Sequence, residues 1–354
     1  MHPTDLYDDC RRNVCYPRVR TTAITDPPAW TAMITDIPTP DELADAGQNL
    51  LNLAWATAVD LLRALRSDNP GIEYLREHFL EKSQTALTNA LAVIDQGQDL
   101  LLKARIAVES PFLLFADPAR TWPSGCDKRD MPFYEFKTIS GDDLLRAHNA
   151  VVAARLDDEF AQFYGEMRRL RNIIIHKGTG LAQIEVAEIF VHILKVCRFL
   201  LPDKRWLDIR RAYLNNHPAT LPWDQDLYTA LLAELDVIVD CIGRRDLLTY
   251  FQFDKKARRY ICPMDCGGKF AQLRPNEPTS AEVYCFVCDG AAPVSRRDCE
   301  VEGCPSNVIC DERCLVCGAY TRAHSEQADE PYESPSQEEI EHLLAESQGA
   351  CRED

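Results

Sequence analysis

The sequence MRRLRNIIIHKG at residues 167–178 predicts the C-terminal end of an α-helix. Gly178 is well suited to follow a helix, because glycine adopts left-handed backbone angles without steric cost. Lys177 just before it complements the negative end of the helix dipole. The three consecutive isoleucines at residues 173–175 are weak helix formers, so packing on several sides must hold this helix. We therefore expect a buried helix end at the centre of the fold.

The same stretch presents an amide, a guanidinium and an imidazole. Asn172 and His176 are four residues apart, so they share one helix face. Arg171 starts about 100° further round, but its long side chain can reach the same region. Arg168, Arg169 and Lys177 add positive charge beside these groups. These three residues are equally well explained as the solvated face of a helix.

Apolar residues with helical spacing recur on both sides of this stretch. They predict helices over residues 41–65, 72–94 with a continuation to Val108, 140–170, 183–201, 204–215 and 224–242, the last capped by Asp224. A long connection at residues 117–132 separates the second helix from the third. The pattern predicts a mainly α domain over residues 41–245, in which antiparallel helices form a bundle.

The motif Arg171-Asn172-x-x-x-His176, near a helix end and between two amphipathic helices, resembles that of the HEPN family of helical ribonucleases and RNA-binding domains. The likeness covers about residues 80–202, a little over a third of the chain. It implies that Arg171, Asn172 and His176 are catalytic. The positive charge of Arg168, Arg169 and Lys177 beside the motif would then bind RNA. The likeness also implies a homodimer in which both copies of the motif face one cleft.

The family resemblance further implies a metal-independent endoribonuclease, in which the ribose 2′-hydroxyl attacks the adjacent phosphate. Members of the family often act as toxins or antiviral effectors, with an antitoxin or activating protein as partner. The alternative is a non-catalytic scaffold that binds RNA or protein, in which Arg171 and His176 only hold the dimer or the core together.

Composition limits the other classes of function. The 354 residues carry a formal net charge of −17, which argues against a protein that coats nucleic acid through bulk charge. No apolar run approaches the roughly 20 residues of a membrane span, and the first residues do not form a signal peptide. We therefore expect a cytoplasmic protein with no membrane partner.

Nine of the 15 cysteines fall between Cys262 and Cys317, mostly in close pairs, and paired cysteines in a chain without a signal peptide indicate zinc before disulfides. Residues 246–322 are therefore predicted to form a small β-rich module of two zinc ribbons, each with a structural site of four cysteines. The expected ligands of the first site are Cys262, Cys266, Cys285 and Cys288. Short strands are expected at residues 247–253 and 259–261, and a hairpin from residues 269–273 and 281–284.

The second ribbon offers five cysteines for four places. Cys299, Cys304, Cys314 and Cys317 are the predicted ligands, and Cys310 is left out, although Cys304 and Cys310 could exchange roles. Over residues 251–322 ten Lys and Arg balance ten Asp and Glu, so structural or partner-binding roles are favoured over base recognition.

The two ends of the chain lack helical or strand periodicity. Residues 1–40 are rich in Pro and Thr and predict an extended arm, whereas residues 323–354 predict an acidic, mobile tail. The tail could restrain a nuclease by mimicking RNA, in which case its removal should raise activity.

Overall fold

The computed structural model describes residues 33–66, 72–177, 183–216, 228–264, 266–274 and 282–320. Most of the predicted arm, the acidic tail, Gly178 and Asp224 lie outside these residues. The described part is mainly helical, with a small β-rich region towards the C-terminus, as the sequence predicts. Within it, no helix has the length and apolar character needed to cross a membrane.

Eight α-helices lie in the described residues. They are α1 (Pro40–Leu65), α2 (Ile72–Glu109), α3 (Asp142–Val151), α4 (Asp158–Lys177), α5 (Val186–Leu200), α6 (Trp206–Asn215), α7 (Thr229–Cys241) and α8 (Arg244–Phe251). Short 3-10 turns at Pro111–Leu114, Ala119–Thr121 and Phe133–Glu135 lie in the long connection between α2 and α3.

Seven short strands in the described part form three small sheets. They are β1 (Ile34–Thr35), β2 (Met131–Pro132), β3 (Ala271–Leu273), β4 (Glu282–Cys285), β5 (Gly290–Pro293), β6 (Ile309–Cys310) and β7 (Arg313–Cys314). β1 pairs with β2 in parallel, β3-β4-β5 form an antiparallel sheet, and β6 pairs with β7 in an antiparallel ladder. β3 and β4 form the hairpin expected from the sequence, with Gln272 opposite Tyr284.

The long helices α1 and α2 run antiparallel at the centre of the bundle. α1 begins with a capping box in which Thr39 and Glu42 satisfy each other's backbone N–H groups, with Pro40 in the first turn. The helices approach closely where a Cβ atom on Gly47 would lie 2.9 Å from Leu101 Cγ. Trp55 of α1 packs edge-on against Phe190 of α5, with 4.7 Å between ring centroids.

The helix predicted over residues 140–170 is wrong, because the structure divides it into α3 and α4. The Asn149 side chain bonds both the backbone N–H and the carbonyl of Leu156, at 3.0 and 2.9 Å, and so stabilises a turn. Asp157 then accepts the Phe160 N–H at 2.9 Å and caps α4. These side-chain bonds to the backbone compete with helix continuation, while the apolar spacing passes through the break.

The strand predicted at residues 247–253 is also wrong, since this segment forms most of α8. Leu247 and Phe251 are four residues apart and both buried, which is a helical spacing. Gln252 ends the helix with left-handed backbone angles (φ 52°), and its N–H bonds Leu247 and Leu248 carbonyls. At the other predicted strand, Tyr260 makes a single bridge to Ala271.

The helical and cysteine-rich parts share one continuous apolar core. Phe253, directly after α8, lies 5.0 Å from Phe286 of the cysteine-rich region between ring centroids. Gly268 packs against α7 so closely that a Cβ there would lie 2.5 Å from Leu232 Cδ2. α8 and the first cysteine group are therefore packed together rather than joined by a linker.

Candidate functional site

The C-terminal half of α4 presents one polar face to an open cavity of about 430 Å³. Its lining residues follow one another at helical spacing, with Asp142 contributed by α3; they are Asp142, Gly165, Arg168, Arg169, Asn172, Ile173 and His176. Four of the six residues predicted for the motif and its basic surroundings therefore share one surface.

The expectation of a buried helix end is wrong for this face. Met167 is 1% exposed and Ile174 packs on the core, but Asn172 and His176 are exposed. α4 buries only the side that contacts the bundle, so its polar side lies open to solvent. Lys177 is the last residue of α4, and its side chain lies outside the part of the chain that the structure describes.

Arg171 points to a different part of the bundle. It lies five residues from His176, about 140° round the helix, and it is absent from the residues that line the described cavity. Its Nε is 3.8 Å from Oδ2 of Asp95 on α2, and its Nη1 donates to Asn172 Oδ1 at 3.3 Å. The amide of Asn172 therefore connects Arg171 with the cavity face.

Asp95 is the residue beneath the motif that the sequence analysis missed. Its side chain is 5% exposed, and it accepts a hydrogen bond of 2.9 Å from Gln98 Nε2. Burial, together with the negative charge of Asp99, raises the pKa of this carboxyl, and Arg171 opposes that shift. In the sequence, Asp95 could have been recognised only from its spacing to Asp99, which places the two carboxylates one turn apart on the same face of α2.

Arg168 packs against the pair formed by buried Tyr164 and half-buried Asp99. Its guanidinium lies 5.6 Å from the ring centroid of Tyr164, whose hydroxyl donates to Asp99 Oδ1 at 2.6 Å. Burial raises the pKa of Tyr164, so the phenol stays protonated. Arg168 also lies 3.9 Å from Asp142 and is only 21% exposed, whereas Arg169 is exposed on the rim.

The second candidate site consists of two groups of four thiols. The structure brings together Cys262, Cys266, Cys285 and Cys288 in one group and Cys299, Cys304, Cys314 and Cys317 in the other, with all four sulfurs of each group within 4.8 Å. These are the eight cysteines that their spacing predicts. Within the described residues, Cys310 lies outside both groups and donates to Asp311 Oδ2 at 3.7 Å.

The geometry of both groups fits a bound metal ion. Sulfur–sulfur distances are 3.5 and 3.6 Å in the first group and 3.7 and 3.8 Å in the second. Ligands at about 2.3 Å in a tetrahedron are separated by about 3.8 Å. Backbone N–H groups also face the sulfurs, with Met264 donating to Cys262 at 3.4 Å and Val301 to Cys299 at 3.5 Å. Each group could therefore hold one metal ion.

Comparisons with models of protein families, with curated proteins and with solved structures find no match for this chain.

Proposed function

We propose that this chain is a metal-independent endoribonuclease of the HEPN type that acts as a homodimer. The observation that carries the proposal is the single surface on which Arg168, Arg169, Asn172 and His176 surround an open cavity. A cationic, solvent-open face on a chain of net charge −17 is suited to a phosphodiester backbone.

The proposed chemistry assigns a separate task to each motif residue. The ribose 2′-oxygen attacks phosphorus, the bond from phosphorus to the 5′-oxygen breaks, and a 2′,3′-cyclic phosphate and a 5′-hydroxyl result. His176 exchanges the protons at the attacking and leaving oxygens, while Arg171 stabilises the charge that gathers on the phosphorane. Asn172, which accepts a hydrogen bond from Arg171, orients the two groups.

The position of Arg171 gives the dimer a specific role in this proposal. Within one chain Arg171 and His176 point about 140° apart, so one copy does not place both on the same phosphate. In the proposed dimer the two copies pair around the C-terminal end of α4, whose circumference carries both residues, so that Arg171 of one protomer approaches His176 of the other. Arg169, on the exposed rim, would hold the RNA strand beside the cleft.

The thiol groups are given a structural role. We propose that each holds Zn²⁺ with four thiolate ligands and no open position, which is the closed arrangement of a structural site. No step of the proposed cleavage uses these ions. Bound zinc instead holds together a region of short strands that has little core of its own.

Cleavage of end-labelled single-stranded RNA in magnesium-free buffer, with bound zinc retained, tests the proposal. The wild-type protein should release fragments that end in cyclic phosphate, and His176→Ala should lower the rate by at least about a hundredfold. Lys128→Ala, an exposed basic residue in the long connection, serves as the matched control and should cleave normally. Equal cleavage by His176→Ala and wild type would reject the proposal.

Arg171 needs its own control because its ion pair with Asp95 also affects stability. Arg171→Ala should cost about 1 kcal/mol, since the guanidinium is 42% exposed and Asp95 is left buried without its partner. The double variant Arg171→Ala/Asp95→Asn should recover that stability but remain inactive. Recovery of cleavage in the double variant would show that Arg171 acts only through folding.

The same ion pair favours a second candidate function, a non-catalytic scaffold that binds RNA or protein. The pH dependence of the stability of Asp95→Asn tests this alternative. Because the folded-state pKa of Asp95 is raised, its contribution to stability is present below the unfolded pKa and lost as pH rises through the folded value. Asp95→Asn should therefore flatten the decline in stability above about pH 4. If all motif variants differ only in such stability curves and none cleaves, the scaffold replaces the nuclease.

A further inference from the structure

A cavity of about 450 Å³ lies where the helical bundle meets the first thiol group. It is enclosed by the end of α5, the start of α6, the end of α8 and the β4–β5 hairpin, and its size falls within the range of about 300–1,000 Å³ typical of small-molecule sites. Its lining residues include Arg198, Lys204, Trp206, Tyr250, Gln252 and Tyr284. None of them lines the cavity at the motif.

Two cations at the rim of this cavity carry positive charge that no described carboxylate neutralises, although Arg198 also contacts the hydroxyl of Tyr250 and the ring of Phe199. Arg198 and Lys204 are exposed, and neither has a carboxylate within 4.0 Å among the residues that the structure describes. Arg205 differs, because its guanidinium lies 3.5 Å from both Asp208 and Asp289 and also donates to the Phe286 carbonyl. Arg205 therefore holds the wall together, while Arg198 and Lys204 provide positive charge.

A buried donor without a partner lies in the wall. Trp206 is 4% exposed, and within the described structure its indole Nε1–H has no hydrogen-bond partner. Leaving a buried donor unsatisfied costs about 1–3 kcal/mol, so such groups in folded proteins call for a partner. Trp206 is also the first residue of α6, whose N-terminus favours a negative group.

The remaining polar wall suits a flat, hydrogen-bonding ring. Tyr250 and Tyr284 present aromatic rings, and burial raises the pKa of Tyr250, which keeps its hydroxyl neutral. The exposed side chain of Gln252 makes no hydrogen bond within the described residues and carries both a donor and an acceptor. Its backbone adopts left-handed angles that turn it at the end of α8.

We propose that this cavity is a binding site for a nucleoside monophosphate. Arg198 and Lys204 contact the phosphate, the base lies against the ring of Tyr250, and Gln252 hydrogen-bonds an edge of the base. Trp206 Nε1–H donates to an acceptor of the ligand. The site is separate from the motif and does not depend on RNA cleavage.

Isothermal titration calorimetry of the full-length, zinc-replete protein tests the site directly. The ligands are AMP, GMP, CMP and UMP, with inorganic phosphate and the four nucleosides as partial ligands. We expect one binding site per chain for at least one nucleotide, with the matching nucleoside and phosphate each at least about tenfold weaker. Phosphate that binds as tightly as every nucleotide would overturn the proposed contacts to the base.

Substitutions of the cavity residues test whether the nucleotide binds in this cavity. Arg198→Glu/Lys204→Glu should abolish binding, whereas Lys128→Glu/Arg129→Glu, which changes the charge equally on an exposed loop, should leave it intact. Trp206→Phe keeps the ring but removes the N–H and should weaken binding about tenfold. Absence of nucleotide binding by the folded wild-type protein, or equal binding by both charge variants, would overturn the proposal.

Discussion

Each thiol group brings four cysteines together, with nearly the same distances between the sulfur atoms. The two groups differ in how deeply their cysteines are buried. In the first group three cysteines are buried, with Cys266 at 1% and Cys285 at 0% exposure. In the second group Cys314 alone is buried and Cys317 is exposed. Similar arrangements of four sulfurs therefore occur in an interior setting and in a surface setting.

This difference separates two roles for a structural metal site. The first group lies beside Phe270 and Phe286, which pack on the residues that end the helical part, so its metal would support the bundle as well as the ribbon. The second group is joined to the rest by backbone bonds, from Ile261 N–H to the Leu315 carbonyl at 2.7 Å and between Ser295 and Ile309 in both directions. Its metal would hold a local fold at the edge of the molecule.

We expect the largest loss of stability when the first thiol group is disrupted. Cys285→Ser should lower the free energy of unfolding by on the order of 5 kcal/mol, because it removes a ligand at the centre of the shared aromatic core. Atomic absorption should count fewer bound zinc ions, and circular dichroism should show a lower melting temperature for the helices. An unchanged helical melting temperature would mean that the first metal supports only its own ribbon.

Close packing beside the first site can be tested without touching a ligand. Gly268→Ala should cost about 1 kcal/mol, since the added Cβ would lie 2.5 Å from Leu232 Cδ2 of α7 and this half-buried side chain must shift to make room. Both zinc ions should remain bound. Gly268→Ala combined with Leu232→Ala provides the control, because the shortened side chain removes the clash and the added penalty of Gly268→Ala should disappear.

The sequence was sufficient to predict the thiol groups because short cysteine spacing is a local signal. The pairs Cys262–Cys266 and Cys285–Cys288 define tight turns by themselves, and the grouping of all eight cysteines requires no knowledge of the bundle. The mainly helical character followed in the same way from apolar spacing over residues 41–245. Both signals depend on neighbours in sequence.

The incorrect predictions for residues 140–170 and for Arg171 do not arise from local spacing. They depend on side chains that are distant in sequence or that compete with the local apolar pattern. The break between α3 and α4 is set by side chains of Asn149 and Asp157 that bond the backbone, which the apolar spacing does not reveal. The direction of Arg171 is set by Asp95, 76 positions earlier, with its carboxylate 3.8 Å away. The sequence of residues 167–178 alone could not identify that partner.

Loss of the second site should have a smaller effect. Cys317→Ser should release one equivalent of zinc but lower the stability of the helical part by no more than about 1 kcal/mol, because Cys317 is exposed. The measurement pairs a zinc count with the helical melting temperature, and Cys285→Ser is the matched variant. A fall in melting temperature as large as that of Cys285→Ser would remove the distinction between the two sites.

The smallest effect is expected for Cys310, which the sequence left as an alternative to Cys304. Cys310 is 3% exposed and contacts Asp311, so Cys310→Ser should keep both zinc ions and cost less than about 1 kcal/mol, with the hydroxyl donating to Asp311 as the thiol does. Cys304→Ser, in contrast, should lose one equivalent. The opposite result would place Cys310 among the ligands instead of Cys304, and the second site would then have two buried ligands, Cys310 and Cys314.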